Sequence, residues 1–370
     1  NKSCLNARLR AETINNLIEK EFDLIVIGGG ITGAGIALDA ASRGLSVALV
    51  EMQDYAGGTS SRSTKLIHGG LRYLKQFEFG LVMQTGRERN IALKNAPHLV
   101  IPEKLILPLI KGGSFGKIST SFGLWLYDLL AGVKKEERRK MLSKEKVIDM
   151  EPLINHKELL GGGIYTEYRT DDARLTIEVI KTAVSYGAKA LNYLKVENFL
   201  YENHKICGVI CIDLISKKEV KIKSKAVINS CGPWVDTIRE KDNSLKGKKL
   251  HLTKGVHIVV PHKKLPINNS IYFDVNDGRM IFAIPRGGIT YIGTTDTNYS
   301  GNIKKPIASK EDCIYLINAI NKMFPDSKLL NEDIISTWSG LRPLIHEEGK
   351  SPSELSRKDE IFVSDSGLYS

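Results

Sequence analysis

The sequence is poor in cysteine and has no long apolar run. Its five cysteines form no Cys-x-x-Cys pair among 370 residues, which excludes a disulfide scaffold and favours a reduced, cytoplasmic protein. The longest uncharged stretch, Leu24 to Leu38, has 15 residues and five glycines, too short and too rich in glycine to span a bilayer. Residues 1–20 lack the apolar core of a signal peptide. We expect a lead-in helix there and predict no metal site.

The sequence has fewer acidic than basic residues. Lys and Arg number 53 against 42 Asp and Glu, which gives a net charge of +11. Such an excess favours an anionic partner, which could be nucleic acid, a membrane surface or a phosphorylated small molecule. Because no nucleic-acid-binding motif accompanies the charge, we expect no nucleic acid partner. Hydrophobic residues make up 42% and charged residues 26%, as in ordinary folded proteins.

A β-α-β unit opens the chain. Residues 23–28 are an apolar, β-branched run that stops at glycines, residues 32–43 have helical character and precede Gly44, and residues 47–51 form a second apolar run. Both runs have the composition of buried parallel strands. The pattern predicts an α/β fold that begins with a Rossmann-like unit.

The turn between the first strand and the helix has the spacing of a dinucleotide-binding motif. It consists of Gly28, Gly29, Gly30, Ile31, Thr32 and Gly33. Glycines there permit a tight turn and a close approach of backbone amides to a pyrophosphate, and the helix N-terminus attracts the anion. Glu51, followed by Met52, ends the second strand and is placed to accept a hydrogen bond from a ribose hydroxyl. This motif alone leaves FAD and NAD open.

The next loop favours the larger cofactor. Residues 57–70 are dense in hydroxyls, glycines and cations, with enough donors to surround the second half of FAD. The candidate cofactor contacts in this loop are Thr59, Ser60, Ser61, Lys65, Leu66, His68, Gly69 and Gly70.

Further along the chain, the pattern predicts a second sheet. A small antiparallel meander is expected over 189–231, and helices over 71–95, 120–130, 174–186 and 310–323. Strands are expected at 105–110, 256–260, 271–273, 280–284 and 290–292. Because no linker-like segment separates the two sets, we expect the second sheet to be inserted into the first domain.

Eight ordered motifs together carry a family resemblance. They are residues 28–33, 58–61, 65–73, 171–175, 231–234, 254–257, 293–296 and 339–344. As a set, this sequence resembles the FAD-dependent glycerol-3-phosphate dehydrogenase family from about residue 22 to its end. The resemblance implies a flavoprotein of the D-amino-acid-oxidase type, in which a Rossmann-like FAD-binding domain holds an inserted antiparallel β-sheet substrate (capping) domain.

The resemblance also implies a division of the chain. The FAD-binding domain is expected to take residues 21–97, 165–250 and 333–370, and the capping domain residues 98–164 and 251–332. The C-terminal helical domain of the family is absent from these residues. We therefore expect that a protein of this sequence alone holds FAD weakly and turns over poorly.

The reaction implied is oxidation of sn-glycerol 3-phosphate to dihydroxyacetone phosphate, with hydride transfer to flavin N5 and electrons passed to a quinone. Peripheral contact with the inner face of the cytoplasmic membrane and self-association are compatible with it. The oxidase branch of the family has a long insertion between the motif at 339–344 and Arg357, and its absence here favours a dehydrogenase. The alternatives are a flavin oxidase of amino or hydroxy acids and a non-catalytic FAD-binding fragment.

The resemblance assigns site residues as well. The substrate contacts fall on Arg72, Tyr73, Arg342 and Arg357, and further cofactor contacts on Val196, Cys231, Gly232 and Trp234. Arginine suits a phosphate because its planar fork donates two hydrogen bonds at once. His257 is the candidate base for the substrate hydroxyl, since such a base works best near neutral pH. The alternative is Arg342, acting with water or by stabilising an alkoxide.

Overall fold

The computed structural model describes residues 5–68, 79–113, 120, 123–126, 138–345 and 360–370. The helices of these ranges are α1 (Arg10–Glu19), α2 (Ile31–Ser42), α3 (Phe79–Asn95), α4 (Lys144–Met150), α5 (Asp172–Ser185), α6 (Val235–Lys241) and α7 (Lys310–Met323). The first strands are β1 (Glu21–Ile27), β2 (Val47–Val50), β3 (Leu66–Ile67), β4 (Ile101–Ile110), β5 (Lys140–Leu142), β6 (Leu159–Arg169), β7 (Lys189–Leu191), β8 (Leu194–Glu202) and β9 (Lys205–Asp213). The others are β10 (Glu219–Asn229), β11 (Leu250–Pro261), β12 (Ser270–Asp274), β13 (Met280–Arg286), β14 (Ile289–Gly293), β15 (Thr297–Asn298), β16 (Ser336–Ile345) and β17 (Leu368–Tyr369).

The smaller sheet contains the predicted β-α-β unit. Its order is β7-β2-β1-β10-β9-β8, with β17 also beside β10, and the pairs around β1 and β2 are parallel. Helices α2 and α5 cover one face through small apolar residues such as Ala37 and Ala183, and α1 covers the other through Leu17. Strands β8, β9 and β10 form the predicted antiparallel meander.

The larger sheet is mostly antiparallel. Its order is β15-β11-β14-β13-β12-β4-β6-β3, with β16 also beside β11 and β5 beside β6. Helix α7 buries Leu316 and Ile320 against one face of this sheet, together with Val256 and Ile258 of β11. On the opposite face, Val82 of α3 and Leu124 pack with Phe282 and Tyr291, and a cavity lies against another part of this face.

The chain passes back and forth between the two sheets. Strands β1, β2, β7–β10 and β17 belong to the smaller sheet, and β3–β6 and β11–β16 to the larger one. The fold class is therefore confirmed as a Rossmann-like domain with an inserted sheet domain.

The predicted division differs from the strand pairing of the larger sheet at two places. Residue 165 lies inside β6, and β16, placed by sequence in the FAD-binding segment 333–370, pairs with β11 instead. A strand belongs to the sheet that its hydrogen-bond partners belong to, and those partners are distant in sequence. The other boundaries stay a prediction. None of the helices in the described ranges combines the length and the hydropathy that a bilayer-spanning segment needs.

Candidate active site

The turn after β1 is built around glycines that no other residue can replace without movement. Gly28 has a φ of +110°, and a Cβ on Gly33 would lie 1.9 Å from the Gly28 carbonyl oxygen. Gly30 precedes the first turn of α2, so the helix N-terminus begins at this turn. Its backbone N–H groups and partial positive charge suit an anion.

Glu51 is held against the same turn. Its Oε2 accepts a hydrogen bond from Gly29 N at 2.7 Å, and its Oε1 accepts one from Gln53 N at 2.6 Å. Burial raises the pKa of Glu51, and these backbone hydrogen bonds oppose the rise. The carboxylate thus braces the end of β2 against the glycine turn. Its contact with a ribose stays a prediction.

A cavity of about 260 Å³ opens at the carboxyl ends of β1 and β2. Twelve predicted cofactor residues line it: Gly28, Gly30, Ile31, Thr32, Glu51, Met52, Thr59, Ser60, Val196, Cys231, Gly232 and Trp234. Gln53, Thr237 and Lys241 also line this cavity. Sequence reasoning missed them because they belong to no recognised motif. We call this the first cavity.

The hydroxyl-rich loop connects the two sheets. Ser60 Oγ accepts a hydrogen bond from Ile31 N at 2.9 Å, at the start of α2. Thr59 Oγ1 donates to the Leu341 carbonyl in β16 at 2.7 Å. The loop therefore closes the first cavity on one side and contacts the larger sheet on the other.

Lys65 and Ser61 lie outside the first cavity. Lys65 Nζ donates to Asp172 Oδ1 at 2.9 Å and to the Ser61 carbonyl at 3.0 Å. Asp171 caps α5 by accepting a hydrogen bond from Arg174 N, and Asp172 accepts one from Ser63 Oγ. The ammonium group of Lys65 thus contacts the start of α5. The predicted contact between Lys65 and a cofactor stays a prediction.

A second cavity, of about 220 Å³, meets the first at Thr59, which lines both. Its floor is a face of the larger sheet. Directly paired positions place Trp338, His257, Gly293, Phe282 and Tyr272 in one row across β16, β11, β14, β13 and β12. Since paired residues share a face, four rings surround one glycine.

Glycines make room for the functional groups on this face. A Cβ on Gly293 would lie 2.1 Å from His257 Cδ2, and one on Gly255 would lie 2.6 Å from Arg342 Nη2. A Cβ on Gly340 would lie 2.7 Å from the Arg62 carbonyl oxygen of the loop. The three positions require glycine because an imidazole, a guanidinium and a backbone segment occupy the space.

His257 is buried, with 2% of its surface exposed. Its ring stacks on Trp338 with centroids 4.6 Å apart, and Nε2 lies 3.0 Å from Thr64 Oγ1. Among the described residues, Nδ1 has no hydrogen-bond partner. Burial, with smaller contributions from the Arg342 and Lys65 charges, lowers the pKa of His257 to about 3. The ring is therefore a neutral imidazole. The sequence argument required a pKa near neutral pH, and the pKa of His257 lies well below it.

Arg342 is fixed by three acceptors that follow β14. Its Nη1 donates to Asp296 Oδ1 at 3.2 Å and to the Thr295 carbonyl at 3.4 Å, and Nη2 donates to Thr294 Oγ1 at 3.2 Å. The guanidinium lies at the wall of the second cavity with His257. The structure thus brings together the two predicted catalytic residues.

The remaining predicted residues fall into two groups. Leu66 and His68 line the second cavity, and the His68 ring is 5.9 Å from that of Phe282. The others lie outside the described residues: Gly69, Gly70, Arg72, Tyr73 and Arg357. Sequence reasoning did not assign Tyr272, Arg279, Phe282 and Asp296 to the site. Only the sheet register brings them there.

Residues 23–363 match a family described as FAD dependent oxidoreductase. The chain belongs to this family. FAD is the cofactor of this family. One feature of the first cavity, which does not depend on the family match, also suits FAD. The Gly28–Gly33 contact leaves no space for a Cβ, which holds the helix N-terminus close to the cavity where a pyrophosphate would bind.

Two curated relatives of this chain are named aerobic glycerol-3-phosphate dehydrogenase. That of Bacillus subtilis (strain 168) is 57% identical over 359 residues, which cover 97% of this chain and 65% of the relative. That of Staphylococcus aureus (strain NCTC 8325 / PS 47) is 59% identical over 355 residues, 95% of this chain and 64% of the relative. The chain thus spans less than two thirds of the length of these relatives.

Solved structures agree with the fold. The glycerol-3-phosphate dehydrogenase from Bacillus halodurans, complexed with FAD, is 48% identical with a TM-score of 0.82, over 98% of this chain and 63% of that one. Glycine oxidase from Bacillus cereus has a TM-score of 0.67 at 21% identity, over 94% of this chain and 90% of that one. At 21% identity, the similarity to glycine oxidase shows only that the two proteins share a fold.

Proposed function

We propose that this chain is the FAD- and substrate-binding part of a glycerol-3-phosphate dehydrogenase, which oxidises sn-glycerol 3-phosphate to dihydroxyacetone phosphate. The observation that carries the proposal is the second cavity, which shares the lining residue Thr59 with the first and combines His257 with Arg342. The relatives with 57% and 59% identity support the choice of substrate.

In this proposal the first cavity holds the dinucleotide of FAD. The start of α2 would bind the pyrophosphate, Glu51 would accept a hydrogen bond from the adenosine ribose, and the flavin end would lie towards Thr59, which lines both cavities. When bound, FAD supplies N5 of its ring as the hydride acceptor, and a quinone later takes the electrons. The residues of this chain supply binding, orientation and proton transfer.

Arg342 is proposed to bind the phosphate of the substrate. A guanidinium that is already fixed by Asp296, Thr294 and Thr295 loses little freedom when an anion binds. Arg72, Tyr73 and Arg357 are proposed to join it, on the family resemblance.

His257 is proposed to accept the proton of the substrate C2 hydroxyl as the C2 hydride leaves and the carbonyl forms. The neutral ring has a lone pair for this proton. Its pKa of about 3 is lowered mainly by burial and, in smaller part, by the positive charge of Arg342, which disfavours imidazolium. A bound phosphate dianion would offset that charge and so raise the pKa of His257. The alternative is that Arg342 itself stabilises a developing alkoxide.

The test is rapid mixing of the FAD-loaded protein with candidate substrates. We expect sn-glycerol 3-phosphate to bleach the flavin absorbance, and glycine, L-proline and 2-hydroxy acids not to. Bleaching by an amino or hydroxy acid instead would identify the alternative oxidase, and no bleaching by any of them would identify a cofactor-binding fragment. His257→Asn is expected to slow bleaching by about 100-fold or more without loss of bound FAD.

The quinone, the cytoplasmic location and contact with the membrane are part of the same proposal. Reoxidation of the bleached protein by a soluble quinone analogue is expected to be faster than by oxygen. Co-sedimentation with anionic vesicles tests the membrane contact, which the net charge of +11 supports. Equal reoxidation rates would contradict the dehydrogenase assignment.

A further inference from the structure

Arg279 lies at one end of the second cavity, directly before β13. It lines the same cavity as His257 and Arg342 but comes from a different strand hairpin, the one between β12 and β13. Its side chain is 32% exposed, which places it at the mouth of the cavity. None of the sequence motifs includes it.

The guanidinium of Arg279 is held from two sides. Asp277 Oδ2 accepts from Nε at 2.8 Å and from Nη2 at 2.6 Å. The guanidinium carbon lies 4.2 Å from the ring centroid of Tyr315, on α7. Tyr315 OH in turn donates to Asp277 Oδ2 at 3.1 Å. Arg279 is therefore fixed in position before any ligand arrives.

One nitrogen of this fixed group remains available. Within the described residues, Nη1 of Arg279 has no hydrogen-bond partner. Burial lowers the pKa of Arg279, but the Asp277 hydrogen bond and the charges of Tyr315, Asp277 and Asp296 raise it overall. Asp296, which binds Arg342, thus also acts on Arg279. Arg279 and Arg342 therefore share the field of Asp296, and Asp277 is a second carboxylate in direct contact with Arg279.

We propose that Arg279 is a further anion-binding residue of the second cavity, which binds the phosphate of the substrate at the mouth, and that Tyr315 is its positioning residue. The proposal rests on the proposed function for the identity of the substrate. Asp277 and Asp296 balance the charges of the two guanidinium groups, so the attraction for an anion comes from the N–H groups of Arg279 Nη1, which Asp277 does not occupy. A partly exposed charge at the mouth acts mainly on binding and less on the chemical step.

The test compares Arg279→Gln with Arg43→Gln in the FAD-loaded protein. Arg43 is a matched control because it also forms a two-nitrogen contact with an aspartate, Asp39, but lies on α2. Arg279→Gln is expected to raise the KM for sn-glycerol 3-phosphate about tenfold and to leave kcat within about twofold. Arg43→Gln is expected to change neither.

Two conservative variants separate binding from structure. Tyr315→Phe keeps the ring under the guanidinium and is expected to retain the wild-type KM, whereas Tyr315→Ala is expected to raise it about threefold. Arg279→Lys keeps the charge but loses the two-nitrogen contact, and its KM should fall between wild type and Arg279→Gln. A KM for Arg279→Gln within about twofold of the control would overturn the proposal.

Calorimetry with inorganic phosphate keeps this proposal separable from the proposed function. If sn-glycerol 3-phosphate does not bleach the flavin, the proposed function fails, but weaker phosphate binding by Arg279→Gln than by Arg43→Gln would still support Arg279. Wild-type protein that binds no phosphate at millimolar concentration would overturn the role of Arg279.

Discussion

The imidazole of His257 lies nearly parallel to the indole of Trp338, with 4.6 Å between the ring centroids and 10° between the planes. The two residues are directly paired on β11 and β16. Trp338 Nε1 donates to the Ser63 carbonyl at 3.2 Å, which fixes the indole to the loop that also carries Thr64. The orientation of the candidate base therefore depends on a contact between the two domains.

Removal of the indole is expected to slow flavin bleaching. Trp338→Leu leaves His257 without a stacking partner, and a shift of about 1 Å in a reacting group costs on the order of 100-fold in rate. Trp338→Phe keeps an aromatic face and should recover most of the rate. Trp125→Leu, an exposed tryptophan in the same protein, is the control and should bleach at the wild-type rate. Equal rates for Trp338→Leu and the control would contradict the role of the stack.

The lowered pKa of His257 predicts a pH dependence of stability. A free histidine has a pKa of 6.5 and the folded ring one of about 3, so between these values the unfolded chain binds a proton that the native chain does not. The free energy of unfolding therefore falls as the pH falls from about 6.5 towards 3, by about 1.4 kcal/mol per pH unit for this group. Denaturant titrations at several pH values measure how the free energy of unfolding changes with pH. In His257→Gln this slope should be smaller than in the wild type by the equivalent of one bound proton. An unchanged slope would contradict the burial of a neutral ring.

Two glycines of α2 should respond oppositely to alanine. Gly33→Ala would place a Cβ 1.9 Å from the Gly28 carbonyl oxygen, so the turn must move, and FAD affinity should fall at least tenfold. Gly35 has no atom within 4 Å of its Cβ position, and Gly35→Ala should stabilise the helix by about 0.5–1 kcal/mol. FAD titration and thermal unfolding measure the two effects. Equal FAD affinity in both variants would contradict the model of a close turn.

Gly255 is expected to control the position of Arg342. A Cβ there would lie 2.6 Å from Arg342 Nη2 and the same distance from Thr294 Oγ1, so Gly255→Ala must displace the guanidinium. We expect a KM for sn-glycerol 3-phosphate at least tenfold higher. Gly288→Ala, in the turn between β13 and β14, is the matched control, because nothing lies within 4 Å of its Cβ position. If steady-state kinetics give both variants the same KM, Arg342 does not bind the phosphate.

The cofactor half of the site could be predicted from sequence because it is local. The residues from Gly28 to Gly33 and Glu51 belong to one β-α-β unit, in which short connections decide which backbone groups meet. The loop at 57–65 follows directly, so the hydroxyls of Thr59 and Ser60 reach the same cavity. Most of these residues line the first cavity, and their contact with FAD stays a prediction.

The substrate half could be predicted only in part. His257 and Arg342 were found through the family resemblance, but Tyr272, Arg279, Phe282 and Asp296 were not. Tyr272 and Phe282 lie on strands, and Arg279 and Asp296 lie directly beside strands, whose pairing joins residues far apart in the chain. A change of one residue in register would turn the strand side chains to the other face. The placement of β16 in the larger sheet was missed for the same reason.

By itself, the sequence determined the glycine turn, the order of helices and strands and the family, because each depends on neighbouring residues or on a set of motifs. Only the tertiary structure decided which side chains share the second cavity and what their charges do to one another. The pKa of His257 illustrates the difference, since burial and the charges of Arg342 and Lys65 lower it to about 3. Electrostatic effects depend on distance in space and on exclusion of water, and neither can be read from spacing along the chain.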